Sequence, residues 1–444
     1  MSDKYKRWLM QETPKWVQEG IVSVETAERL RAYYGVTEEP AGRRWAMVIF
    51  SILGAALIGG GIIMVLGYNW DQLSHGMRAV ISFIPLAVAQ AMCVWMFRTG
   101  RRGAAWREGV GTLLVLAVGA SLALIAQTYN LGGTWQEFTL TWMLLSLPVV
   151  YLLQAAAPAI LFMAGITAWL TGSWDYSPVL HSSVLGFWPL LLAVIPFIGW
   201  KIREDRYGPG AVFPMWVLVI CLGIALGVSL EFGLNNQFSV LWMQAYAGLF
   251  AVLFLAGSAW FNEGLAMWQR PFLTIGACGS AVLAFIWTFK EPWEDVGRHT
   301  LFAGEAFSRP ESLLMGVIML LLLLAAILLV ARAVWRRDKE GVLYGALPIM
   351  ALVGYSIGLQ QGPLLWLIFN AYFLALALVP LIAGIKASQL GRINAGILML
   401  TALILARFFD ADFSLLAKGL VFIGAGIVFL SVNITMLRRK GAAQ

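Results

Sequence analysis

From Trp45 to Leu437 one pattern recurs: an apolar run of about 20 residues, then a short polar or charged break. At 1.5 Å of rise per residue, such a run crosses a hydrocarbon core of ~30 Å. Segments of ~10 residues with alternating polarity, the mark of a membrane β-barrel, do not occur, so helices must satisfy the backbone. The pattern predicts an all-α, polytopic helical integral membrane protein of about 14 transmembrane helices. These are expected at roughly 45–67, 78–97, 108–127, 138–154, 157–172, 183–200, 211–230, 239–260, 271–289, 313–332, 341–358, 364–384, 393–409 and 415–437.

Composition fits that class and no soluble one: 60% of the 444 residues are apolar, 12% are charged and 20 are Trp. Charge then orients the helices. With the N-terminus inside, 25 of the 31 Lys and Arg fall in inner segments and only Arg78, Lys290, Arg298 and Arg309 in outer ones, a bias that predicts cytoplasmic placement of both termini. The stretch 138–172 reads as two short spans around "QAAAPA" (Gln154 to Ala159) or as one span and a re-entrant piece. A single span would turn every later basic loop outward, so two are expected. The net charge of +7 is a topology signal rather than a nucleic-acid one, since the basic residues are scattered over loops.

Residues 1–44 read as a cytoplasmic helical hairpin, with Thr13 and Pro14 as cap and first turn, Gly20 as a stop, Ser23 as the cap of a second helix and Gly35 as its stop. The transmembrane bundle is expected over 45–437, with the outer loop 290–312 at the interface through Leu301, Phe302 and Phe307. Residues 438–444 form a basic cytoplasmic tail.

Polar residues collect where the outer helix ends should be. "GYNWDQLSHG" from Gly67, "IAQTYNLGGTWQEFTLTW" from Ile125, "EFGLNNQF" from Glu231 and "RFFDADFS" from Arg407 each mix Asn, Asp or Gln with Trp, Tyr or Phe. An interfacial aromatic belt with ordinary turn residues accounts for much of this. Amides within spans, at Gln90, Gln127, Gln244 and Asn370, need a further reason, because each costs free energy unless paired or wet. Asn69, Trp70, Asp71, Gln127, Tyr129, Asn130 and Asn370 are therefore candidates for an outward polar cavity or for a structural motif. Gln127 and Tyr129 are expected to bond to "YNW" (Tyr68 to Trp70) at the end of the first span. Arg407, Asp410, Asp412 and Lys418 form a candidate charged hairpin. It is either neutralised internally, Arg407 and Asp410 standing at i, i+3, or it leaves a cation for an anionic head group or substrate.

Three stretches in order, "WVQEGIVSVETAERL" (Trp16 to Leu30), "LGYNWDQLS" (Leu66 to Ser74) and "GASLALIAQTYNLGGTWQEFTLTWMLLSLP" (Gly119 to Pro148), resemble the predicted bacterial membrane proteins of the family called domain of unknown function 2157. The resemblance covers about the first third of the chain, and "LARFFDADFSLLAKG" (Leu405 to Gly419) resembles a late helix hairpin of related large membrane proteins. It implies a multi-pass protein of the bacterial inner membrane and brings no activity with it. Asn69, Trp70, Gln127 and Tyr129 fall at its motif positions.

Motifs of catalysis are missing. His75, His181 and His299 lie in separate outer loops, with no HExxH, Cys/His cluster or P-loop, so no catalytic residue, metal or cofactor is expected. Three functions fit the chain. The first is a transporter-like or lipid-handling bundle around an outward-facing polar cavity that takes a small polar or lipid ligand. The alternative is a non-transporting scaffold or assembly subunit with a membrane-protein partner. The third is a membrane-embedded transferase using an outer carboxylate such as Asp71 or Asp410. Polar groups converging in a wet cavity would favour the first and third; the same groups paired between helices would favour the second.

Overall fold

The computed structural model describes residues 12–33 without 15 and 18, 73–172 without 102, 178–234, 239–262, 266–294, 310–358 and 363–409, with scattered positions in 49–65 and 416–427. It is 88% helical and has no strand among the described residues. Two compact units form, the first within Met1–Tyr176 and Phe187–Leu218 and the second within Ser177–Gly186 and Val219–Gln444. The helices, in chain order, are α1 (Val24–Tyr33), α2 (His75–Arg98), α3 (Ala104–Thr128), α4 (Trp135–Leu153), α5 (Ala156–Thr171), α6 (Pro178–Leu192), α7 (Ile195–Glu204) and α8 (Pro209–Leu234). They continue with α9 (Ser239–Trp260), α10 (Pro271–Ile286), α11 (Pro310–Trp335), α12 (Lys339–Gly345), α13 (Leu347–Gly358), α14 (Pro363–Ala387) and α15 (Leu390–Phe409).

Nine helical stretches among the described residues are long and apolar enough to cross a membrane, or ten if the bent pair α12–α13 is one span. That is fewer than the 14 expected, for two reasons. The spans expected at 157–172 and 271–289 are helices of 16 residues each, α5 and α10, and at about 24 Å they fall short of a ~30 Å core. The spans expected at 45–67 and 415–437 lie outside the described residues apart from scattered helical positions. Breaks elsewhere coincide with proline, which removes a backbone donor and crowds the preceding turn. Pro196 follows the break between α6 and α7, and Pro348 follows the 41° bend between α12 and α13.

The ambiguous stretch 138–172 is a helical hairpin. Gln154 turns the chain at φ 53° between α4 and α5, and Gln136 Nε2 donates to the Gly172 carbonyl at 3.0 Å, so the far ends of the two helices meet as well. In the first unit Cys93 and Met96 of α2, Leu114 and Val115 of α3, and Val149 and Leu153 of α4 share one buried cluster. In the second, Phe254, Trp287, Trp293, Tyr344, Phe369 and Phe373 make a core rich in aromatics. There α9 and α10 touch backbone to backbone at Gly276, whose missing Cβ would collide with the main chain of Phe254. Only glycine permits that approach.

Outward surfaces are apolar. Val317, Leu320, Leu321, Leu324, Ile327 and Leu328 of α11 are all exposed, a surface that water would not tolerate and lipid requires. At the N-terminus Ser23 caps α1, its Oγ accepting from Thr26 N at 3.2 Å. Helical backbone already runs through Glu12 to Pro14, so Thr13 lies inside that turn, fully buried, instead of capping it. Gly35 and the tail 438–444 lie outside the described residues, as do 295–309 of the outer loop.

Candidate functional site

The stretch "IAQTYNLGGTWQEFTLTW" is a helix stop followed by a helix start. At the end of α3 Leu131 N donates to Ala126 O at 2.9 Å and Asn130 N to Gln127 O at 3.5 Å. Asn130 takes the left-handed conformation at φ 48°, which asparagine tolerates and which closes a Schellman turn. Four residues on, Thr134 Oγ1 accepts from Glu137 N and Glu137 Oε2 accepts from Thr134 N, both at 3.3 Å. This is a reciprocal capping box that starts α4. Gln136 and Glu137 thus serve helix ends with their side chains, and the cavity candidate Asn130 serves one through its backbone. Gln127 and Tyr129 are exposed, Tyr129 at 57%. Their expected partners, Tyr68 to Trp70, and the candidates Asn69, Trp70 and Asp71, lie outside the described residues.

At the opposite end of the first unit, a carboxylate supplies what α5 lacks. Ala155 precedes α5 and has no side chain that could cap it, so the first amides of the helix need an external acceptor. Glu108 of α3 provides both oxygens: Oε1 accepts from Ala156 N at 2.8 Å and Oε2 from Ala157 N at 2.7 Å. The positive charges of Lys201 and Arg107 act on the same carboxylate. Lys201, only 8% exposed, is also paired with Glu204 at 2.9 Å. With Gln136 on Gly172, α5 is held at both ends by side chains from other helices. Glu108 was not among the sequence candidates. Its signal was the uncapped "QAAAPA" opposite the first acid after four arginines.

Side chains from neighbouring helices thus close both ends of this hairpin's second helix. Residues 14–159 match the family model of the predicted membrane protein DUF2157. The resemblance drawn from the three early stretches is borne out over those residues. No curated protein and no solved structure matches the chain. The DUF2157 segment includes Glu108 and both amides it accepts from, so this tie lies wholly within the matched residues.

Beyond the DUF2157 segment, two candidates from different sequence stretches meet on one residue. Arg407 of α15, 9% exposed, donates through Nη2 to the Thr288 carbonyl at 2.7 Å and to its hydroxyl at 2.8 Å. Asn370 of α14 donates to the same carbonyl at 3.5 Å. Thr288 lies just past α10, where carbonyls have no helical partner. The Arg407 guanidinium also stands 5.0 Å from the Phe289 ring centroid. In the aromatic core of this unit Trp293 stacks on Phe369 at 4.6 Å and donates its indole N–H to Trp287 O at 3.0 Å. Arg407 was expected to pair with Asp410 or to await an anion; Asp410, Asp412 and Lys418 lie outside the described residues, and the cation is turned onto a helix end. Thr288, the acceptor for both, carried no signal in the sequence beyond its place at a span end. Among the described residues no group of three His, Cys, Asp or Glu comes together.

Proposed function

We propose that the chain is a non-transporting scaffold or assembly subunit of the bacterial cytoplasmic membrane, with both termini in the cytoplasm and another membrane protein as its partner. The observation that carries this reading is how three polar side chains on the spans, one buried and two half-buried, are used. Glu108, Arg407 and Asn370 are directed at the backbone of neighbouring helices. Groups used in that way fix helix positions. A rim of exposed side chains around the α3–α4 turn, with Tyr129, Leu131 and Trp135 each more than half exposed, offers the amphipathic surface that a docking partner uses.

A transporter-like reading has one observation in its favour, the 41° break at α12–α13, since transporters build sites from discontinuous helices. The two readings differ in what the protein retains. Full-length protein in native nanodiscs is analysed by mass spectrometry for co-isolated small molecules and proteins, wild type beside Arg407→Gln. The scaffold reading expects a stoichiometric membrane-protein partner and no small molecule whose retention depends on Arg407. A specific small molecule or lipid present in wild type and lost in the variant would replace it with a ligand-handling function.

A further inference from the structure

The turn between α2 and α3 presents a cation that has no carboxylate partner among the described residues. Thr99 ends α2, Gly100 N donates to Phe97 O at 3.4 Å and Arg101 N to Met96 O at 3.2 Å, with Gly100 at φ 67°. An L side chain at that φ is strained, so glycine lets the Schellman turn close. Closure fixes Arg101 beside the last turn of α2. Its guanidinium carbon stands 4.8 Å from the Trp95 ring centroid and 5.5 Å from that of Trp106, and the two rings meet edge-on at 5.2 Å. A guanidinium held over aromatic faces keeps its N–H edges open to an oxyanion.

Charge complementarity names the occupant. Arg98, Arg101, Arg102 and Arg107 lie within ten residues that contain no Asp or Glu, and Glu108, the next acid, is taken up by the amides of α5. Among the described residues neither Arg98 nor Arg101 has a carboxylate partner. Trp95 and Trp106, 41% and 37% exposed, are of the amphipathic type that settles between acyl chains and head groups. Among the described residues the other cation–ring pairs lack one part of this set, Arg407 over Phe289 being already engaged with Thr288. Lys201 over Trp200 already has Glu204, and Arg332 has the single ring of Trp260. We propose that the α2–α3 turn binds the head group of an anionic phospholipid, with Arg101 as the phosphate ligand and Trp95 and Trp106 as the platform that holds it at head-group depth. This site stands on the turn alone and does not depend on the scaffold reading.

The test uses full-length protein in nanodiscs of phosphatidylethanolamine and phosphatidylglycerol, with retained lipids counted by native mass spectrometry. Wild type retains phosphatidylglycerol selectively. Arg101→Gln lowers that retention about fivefold. Arg203→Gln removes the same charge from an exposed position that lies over no ring among the described residues, and it leaves retention unchanged. Trp106→Leu keeps every charge and lowers retention about twofold. Equal loss in Arg101→Gln and Arg203→Gln would reduce the effect to general surface charge and overturn the site. Unchanged retention in Arg101→Gln or Trp106→Leu would overturn it too, as would displacement of the lipid by inorganic phosphate alone, which would assign the turn to a free anion.

Discussion

The two units use opposite charges for the same purpose. In the first, the Glu108 carboxylate accepts from the leading amides of α5; in the second, the Arg407 guanidinium donates to a carbonyl just past the end of α10. A helix leaves donors unsatisfied at its start and acceptors at its end, and its dipole favours an anion at the first and a cation at the second. Each unit has placed the matching charge there. The difference lies in redundancy: Glu108 is the acceptor for two amides at once, whereas the Thr288 carbonyl also receives Asn370. Loss of the acid should therefore cost more than loss of the base.

Glu108→Leu is expected to lower unfolding free energy by about 4 kcal/mol, because it orphans two amides and leaves the charges of Lys201 and Arg107 without their shared counter-ion. Glu108→Gln keeps an acceptor oxygen and should cost about 2 kcal/mol. Denaturant titration of purified protein in detergent measures both. Equal losses would show that charge, and not hydrogen bonding, holds the end of α5.

Packing sets the next effect. Gly276→Ala drives a methyl into the Phe254 main chain and should cost about 3 kcal/mol. Because α10 carries Thr288 just beyond its end, displacing the helix should also blunt the effect of Arg407 variants. Arg407→Leu alone is expected to cost about 2 kcal/mol, with Asn370 still serving the carbonyl. A double-mutant cycle of Gly276→Ala and Arg407→Leu reads the coupling, and strict additivity would separate the helix contact from the polar tie.

How much of this was legible depends on whether the cause is local. Apolar runs placed α2, α3, α4, α8, α9, α11, α14 and α15 within a few residues, because each helix satisfies its own backbone. Ser23 and the stop at Gly20 were equally readable, and Thr134 with Glu137 could have been, since T-x-x-E is a capping box in plain sequence. Polar ties between helices were not. Glu108 meets residues 48 and 49 positions away, and Arg407 meets one 119 away. No periodicity records such partners. The division into two units also left no mark, because apolar runs look alike whichever unit they join.

The smallest expected effects separate two amides of one turn. Gln136 reaches across to the Gly172 carbonyl at 3.0 Å and is the side chain tying the end of α5 to the start of α4. Gln127, nine positions earlier, is exposed, with its proposed partners outside the described residues. If the polar residues here serve helix ends, Gln136→Leu should cost about 1 kcal/mol, the net value of one hydrogen bond. Gln127→Leu should stay within about 0.5 kcal/mol of wild type, as a surface change does. Thermal melts of the two variants in the same detergent decide it. A larger loss for Gln127→Leu would show that the family motif at this position is structural after all, and that the first span, through Tyr68 to Trp70, leans on α3.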